Sequence, residues 1–250
     1  MTDPETVLPA TRRPVVLVPG LSGRPAEDFS FLSPMLARRH DVTTVTFDDV
    51  GGSCSLRDLV ERIHFVVERC AEPPAVVGYS LGAVAALAYT AAHPSSVASL
   101  TLVAGWLTPP PKLRVLAEVW RALRAEGSTA LPHAAMTALF SADGWDSARA
   151  PLIDGVADAL IGLSATADVS DLAPVVTAPT LVVGGALDEV ATRIQSKLLF
   201  GALTDARYAE VHSGHAIVHE RPAELLNLIS AFLARPCAYP AGAFIPEGRP

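Results

Sequence analysis

An α/β fold is predicted, with a mostly parallel sheet covered by helices on both faces and a helical lid inserted near the middle of the chain. Three observations predict it. Apolar β-branched runs alternate with helical stretches in both halves, a serine sits at the turn between one such run and an alanine-rich helix, and strandless helical segments opened by Pro109-Pro110-Pro111 interrupt the alternation.

Residues 14–18 are a β-branched run stopped by Pro19 and Gly20, which reads as a buried strand ending in a loop over 20–24. A helical stretch over 28–39 leads to a second strand over 41–47, followed by a turn-rich segment from Asp48 to Ser53. Ser55 reads as the N-cap of a long helix with Leu59, Ile63, Val66 and Val67 on one face, and Pro73-Pro74 cannot continue it. A short strand over 75–78, a sharp turn at Tyr79-Ser80, an alanine-rich helix over 81–92 and a strand over 97–103 follow.

From 107 to 163 the strands cease, and helical pieces are expected over 113–125, 131–140 and 146–163. The alternation resumes after a turn at Pro174, with strands over 180–183 and 206–211 and helices over 193–200 and 222–234. The expected organisation is a core of residues 1–106 and 164–236, a lid of 107–163, and a flexible tail of 237–250 rich in Pro, Gly and Ala.

Composition narrows the function classes. At 250 residues, half of them hydrophobic and 18% charged, the chain has ample material for one core with an insertion and lacks the profile of a disordered chain. A net charge of −7 with no Lys/Arg cluster beyond pairs such as Arg12-Arg13 and Arg38-Arg39 argues against a nucleic-acid partner. Apolar runs are strand-length, far short of the ~20 residues that span a bilayer, so no membrane association is expected. Residues 1–14 show no basic start and apolar stretch of a secretory signal, which makes a cytoplasmic location the expectation. Cys54, Cys70 and Cys237 are scattered and read as reduced thiols.

Gly78-Tyr79-Ser80-Leu81-Gly82 matches GxSxG in a strand-turn-helix frame, where the turn lifts the serine oxygen above the sheet and a side chain at either glycine would clash. A serine hydroxyl needs a base to take its proton and an acid to orient that base. His215, in Ser213-Gly214-His215 between the last strand and the final helix, is placed at the same sheet edge. His212 and His219 are its nearest rivals. Asp188 follows the buried strand over 180–183 and is the expected acid, with adjacent Glu189 as the alternative, whereas Asp168 and Asp171 precede that strand. The backbone N–H groups of Leu81 and of Leu21, the latter beside Gly20, are the expected oxyanion donors.

On these residues the chain resembles the α/β-hydrolase family, from about Pro14 to Leu233. Val18-Pro19-Gly20-Leu21 resembles the family's oxyanion loop, Asp48 to Ser53 a shortened aspartate-glycine-serine loop, and Gly78 to Gly82, Gly184 to Asp188, and Gly214-His215 with Glu220-Arg221-Pro222 follow in the family's order. Pro19-Gly20 stands where many members carry His-Gly, and Ala191 where a proline often follows the acid loop. The resemblance implies hydrolysis through an acyl-enzyme on Ser80. A carboxylic ester or thioester is the expected substrate; C–C cleavage or cofactor-free elimination on the same three residues, and a non-catalytic receptor, are the alternatives.

Trp106, Trp120, Met136, Phe140 and Trp145, with Gly20 and Tyr79, are the expected lining of an apolar substrate pocket, and Arg114, Arg121, Arg124 and Arg149 decorate the lid's polar faces. No metal cluster or phosphate-cradling loop is seen, so no cofactor is expected and the expected partner is a small-molecule substrate.

Overall fold

The computed structural model describes residues 12–52, 54–128, 130, 141 and 154–246. Six strands among them, β1 (Pro14–Val18), β2 (Asp41–Thr44), β3 (Ala75–Tyr79), β4 (Ser99–Val103), β5 (Thr180–Gly185) and β6 (Ala206–Val211), form one all-parallel sheet. Its order is β2-β1-β3-β4-β5-β6. The helices are α1 (Pro25–Asp28), α2 (Leu32–Leu36), α3 (Leu56–Val67), α4 (Leu81–Ala92), α5 (Pro111–Ala125), α6 (Gly155–Ser164), α7 (Arg193–Ala202), α8 (Ile217–Glu220) and α9 (Pro222–Ala234).

The inner strands are buried on both faces, which is why β1 and β5 read as near-continuous apolar runs, whereas the edge strands β2 and β6 admit polar residues. Val16, Val18, Val76 and Val182 enter one core with residues of α3, α4 and α7. Val15, Leu17, Val77 and Val183 enter the other with residues of α2, α8 and α9. Helix α4 is apolar all round because it runs through the interior, with every residue from 81 to 90 buried. Ser55 caps α3 as expected: its side chain accepts from Asp58 N–H while the Asp58 carboxylate accepts from Ser55 N–H at 2.7 Å.

The chain departs from the sequence reading in three places. The helix expected over 28–39 is divided into α1 and α2, because a continuous helix would drive the Pro34 ring into the Ser30 carbonyl; the break puts Pro34 in the first turn of α2. The second strand stops at Thr44 rather than 47, since Phe47 N–H turns to the Gly23 carbonyl at 2.8 Å and so braces the loop after β1. Of the tail expected to fray, residues 242–245 lie along β6. Gly242 N–H donates to Ala206 O, Tyr208 N–H to Ala243 O and Ile245 N–H to Tyr208 O, at 2.8, 3.0 and 2.7 Å, and Phe244 packs on the rings of Phe200 and Tyr208. These bonds cover what would be an open sheet edge.

In the lid, α5 and α6 send Leu113, Ala117, Trp120, Leu160 and Ile161 into the first core. The helical pieces expected over 131–140 and 146–153 lie outside the described residues. The lid's two roots are stitched together where Val169 N–H donates to Leu107 O at 3.0 Å.

Candidate active site

Strand order reverses between β1 and β3, and in such sheets the crevice at the carboxyl ends of the two strands is where a site forms. The loop after β1 and the turn after β3 meet there. Ser80, between β3 and α4, has φ 53° and ψ −121°, a left-handed backbone that costs a non-glycine residue about 1–3 kcal/mol. Its N–H donates to Val103 O at 2.8 Å and its carbonyl accepts from Ala83 N–H at 2.9 Å, so the turn is held from both sides.

The flanking glycines are there for contact. A Cβ on Gly78 would stand 2.5 Å from Gly82 O, and one on Gly82 would fall on the carbonyl oxygens of Val18 and Pro19. Strand β1 and helix α4 therefore pack backbone to backbone, which brings Gly20 against the Ser80 side chain. A Cβ on Gly185 would lie 2.6 Å from the carbonyls of both Ser213 and Gly214, so the end of β5 is pressed in the same way against the loop that carries His215.

That closeness joins three side chains from three loops. Ser80 Oγ lies 2.8 Å from His215 Nε2, and His215 Nδ1 lies 2.8 Å from Asp188 Oδ2. The other Asp188 oxygen accepts from Val190 N–H at 2.8 Å. Ser80, His215 and Asp188 are at most 4% exposed. With Nδ1–H donated to the carboxylate, Nε2 is left as the acceptor for the serine O–H.

Leu81 opens α4, so its N–H has no intrahelical acceptor. Leu21 lies in the loop after β1, where Gly23 N–H donates to Gly20 O at 3.1 Å and Gly20 N–H donates to Asp28 Oδ2 at 2.7 Å. Burial pushes the Asp28 carboxyl up to about 6, against the lowering effect of the Gly20 N–H and the Ser22 hydroxyl.

The remaining expected residues fall in different places. Tyr79 is buried, and its hydroxyl donates to the His215 carbonyl at 3.2 Å, so it supports the histidine loop. Burial, then the charges of Asp28, Asp188 and Glu220, hold that phenol well above its usual range. Trp106 and Trp120 are buried, and each ring N–H is held by a hydrogen bond. The Trp106 Nε1–H donates to Ala167 O at 3.0 Å, and the Trp120 Nε1–H to Asp158 Oδ1 at 2.8 Å. Met136, Phe140, Trp145 and Arg149 lie outside the described residues. Glu189, the alternative acid, is exposed and pairs with Lys112, and His212 is exposed.

Two carboxylates of this region were not assigned a part from the sequence, Asp28 and Glu220. The Glu220 carboxylate accepts from Gly214 N–H at 3.0 Å, Ser213 Oγ–H at 3.1 Å, and Ser141 N–H and Oγ–H at 2.6 and 2.7 Å. It thereby links the histidine loop to a lid residue. Burial opposes its ionisation, but these hydrogen bonds outweigh burial and hold it below the usual range. The only signal in the sequence was position: an acid eight residues after Gly20 and another five after His215.

Among the described residues no group of three His, Cys, Asp or Glu side chains is placed to hold a metal ion, and no helix is long and apolar enough to cross a membrane.

The sequence model of the alpha/beta hydrolase family matches residues 15–228. A pyrrolizixenacetamide deacetylase of Xenorhabdus hominickii is 27% identical over 241 residues, covering 88% of this chain and 90% of its own. A Klebsiella pneumoniae (strain 342) protein named as a carbamate hydrolase, RutD, is 31% identical over 169 residues, 62% of this chain and 63% of its own. The solved structure of an enol-lactonase from Burkholderia xenovorans LB400 superposes with a TM-score of 0.77 at 22% identity, over 90% of this chain and 93% of that one. With the family's sequence pattern matched over most of its length and the parallel sheet laid out accordingly, this chain belongs to the α/β-hydrolase family and is a hydrolase.

Proposed function

We propose that this hydrolase cleaves a carboxylic ester or thioester of a small-to-medium apolar substrate through an acyl-enzyme on Ser80. The observation that carries the reading is the unbroken hydrogen-bonded chain from Ser80 Oγ through His215 to Asp188, with both links at 2.8 Å. In this reading His215 Nε2 takes the serine proton as Oγ attacks the carbonyl carbon, and the carbonyl π electrons move to oxygen. Leu21 N–H and Leu81 N–H receive that oxyanion. Collapse of the tetrahedral intermediate breaks the bond to the leaving alkoxide or thiolate, which takes the proton from Nε2. Water, deprotonated by the same nitrogen, then releases the acid. Asp188 holds the imidazole in the required tautomer and stabilises its cation.

A second reading, cleavage of an acyl–nitrogen bond, is favoured by the names of two relatives, a deacetylase and a carbamate hydrolase. It uses the same steps with an amine leaving group, where proton delivery from Nε2 matters most because an amine anion cannot depart unprotonated.

Wild type and Ser80→Ala incubated with a fluorophosphonate probe, and assayed in parallel on nitrophenyl esters and the corresponding anilides of graded acyl length, separate these readings. Labelling of wild type alone, with ester turnover showing a length optimum, is the expected result; anilide turnover at a comparable rate moves the assignment to amides. Labelling without turnover of either series points to C–C cleavage or elimination. No labelling, or equal labelling of the variant, sinks the serine mechanism and leaves a receptor.

A further inference from the structure

The peptide between Gly20 and Leu21 carries the Leu21 N–H on one side and the Gly20 carbonyl on the other, and a trans peptide points these groups in opposite directions. Fixing what surrounds Gly20 therefore aims the Leu21 donor. Two hydrogen bonds do so: Gly23 N–H to Gly20 O at 3.1 Å, a local turn, and Gly20 N–H to the Asp28 carboxylate at 2.7 Å, an anchor on α1. Gly20 is also pressed against the Ser80 Cβ and the Tyr79 ring, so a displaced loop has little space to settle elsewhere.

Asp28 is 6% exposed, and an acid kept in such a place with no ion-pair partner among the described residues is an expense that hydrophobic packing would not choose. The charged and titratable groups facing it are Glu27 on its own helix, His215 on the loop after β6 and Tyr79 on β3. Among the described residues no Lys or Arg side chain is with them, so its compensation is hydrogen bonding, first from the Gly20 N–H at 2.7 Å and then from the Ser22 hydroxyl.

We propose that Asp28 is the positioning residue of the oxyanion loop: by accepting the Gly20 N–H it orients the Leu21 N–H toward the oxyanion formed above Ser80. This rests on the reading of Ser80 as nucleophile and Leu21 as donor. The location of the acceptor oxygen, and not its charge, is what the role requires.

Three variants separate location from charge. Asp28→Asn keeps an acceptor oxygen in place and removes the charge; Asp28→Glu keeps the charge and moves the oxygen by a methylene; Asp28→Ala removes the acceptor. Each is assayed for kcat and KM on a nitrophenyl ester and for inhibition by a trifluoromethyl ketone, whose hemiketal adduct with serine places an oxyanion in the same position. Loss of a whole oxyanion donor costs about 10²–10³ in kcat, so a misaimed one is expected to cost about 10–100-fold in Asp28→Glu and Asp28→Ala. KM is expected to change by less than about 3-fold, and ketone affinity to fall in parallel with kcat. Asp28→Asn is expected to retain most of the wild-type kcat.

Should the alanine variant not fold, the asparagine and glutamate variants decide. A glutamate variant as active as wild type, an asparagine variant as impaired as the glutamate one, or a loss confined to KM overturns the proposal. Failure of the underlying reading looks different, because wild type itself then takes up no fluorophosphonate.

Discussion

The sheet edge that carries Ser80, His215 and Asp188 and the described part of the segment 107–163 are held by different forces. At the sheet edge, backbone meets backbone: Gly82 against the β1 carbonyls, Gly185 against the histidine loop, and Ser80 N–H on the end of β4. Away from its roots, where Val169 N–H meets Leu107 O, the described part of the lid is joined to the core by side chains. Arg24 pairs with Asp154, which caps α6 through Val156 and Ala157 N–H at 3.0 and 2.9 Å; Lys112 pairs with Glu189; Glu220 binds Ser141. Backbone contacts leave no adjustable distance, whereas side-chain clasps can be altered singly.

Breaking the comparison at its rigid side has the largest effects. Asp188→Asn, which leaves the packing intact but removes the charge that holds the His215 tautomer, is expected to lower kcat by about 10⁴-fold with KM little changed, read by steady-state kinetics. Gly82→Ala forces a methyl group onto the Val18 and Pro19 carbonyls and is expected to cost about 3 kcal/mol, roughly 6–12 °C in Tm by calorimetry.

On the lid side the effects are smaller and fall on KM. Glu220→Ala leaves the Gly214 and Ser141 donors without their acceptor, for an expected loss of about 2 kcal/mol in thermal melts and a several-fold rise in KM. A kcat loss exceeding the KM change would mean that Glu220 serves His215 more than the lid.

The two unassigned carboxylates should also respond to pH in opposite senses. Asp28 is raised from 3.8 to about 6 in the folded state, so its ionisation costs stability as pH climbs through that window, by up to ~3 kcal/mol. The Tm of Asp28→Asn relative to wild type is therefore expected to be higher at pH 8 than at pH 4. Glu220 is held below 4.5, so the stability it contributes is present above that value and is lost as pH falls below it; the deficit of Glu220→Gln should shrink on acidification. Melting curves across pH 3–8 that run parallel for all three proteins would contradict both assignments. The smallest effect belongs to Lys112→Ala. Its pair with Glu189 is exposed on both sides and is expected to be worth less than about 1 kcal/mol, a difference that should disappear in 1 M salt.

Much of the core was legible because its signals are local. A β-branched run ended by Pro19-Gly20, a Ser55 cap three residues before Asp58, and a proline-opened final helix at Pro222 each act within one turn or one strand, and β6 and α9 were placed to the residue. Where a local pattern met a second constraint it misled: Pro34 divided a helix whose apolar spacing was sound, and the tail whose composition favours fraying found a sheet edge to pair with.

The order Ser80, Asp188, His215 was readable because each residue follows a strand of a parallel sheet, and parallel strands put their following loops at one edge. Their 2.8 Å contacts, the turning of Tyr79 toward the His215 carbonyl and the burial of Trp106 were decided only by packing. So were the parts of Asp28 and Glu220, since each carboxylate's partners include backbone N–H groups on other loops. Every residue but proline carries such a donor, so no letter in the sequence marks which one will be brought to face the acid.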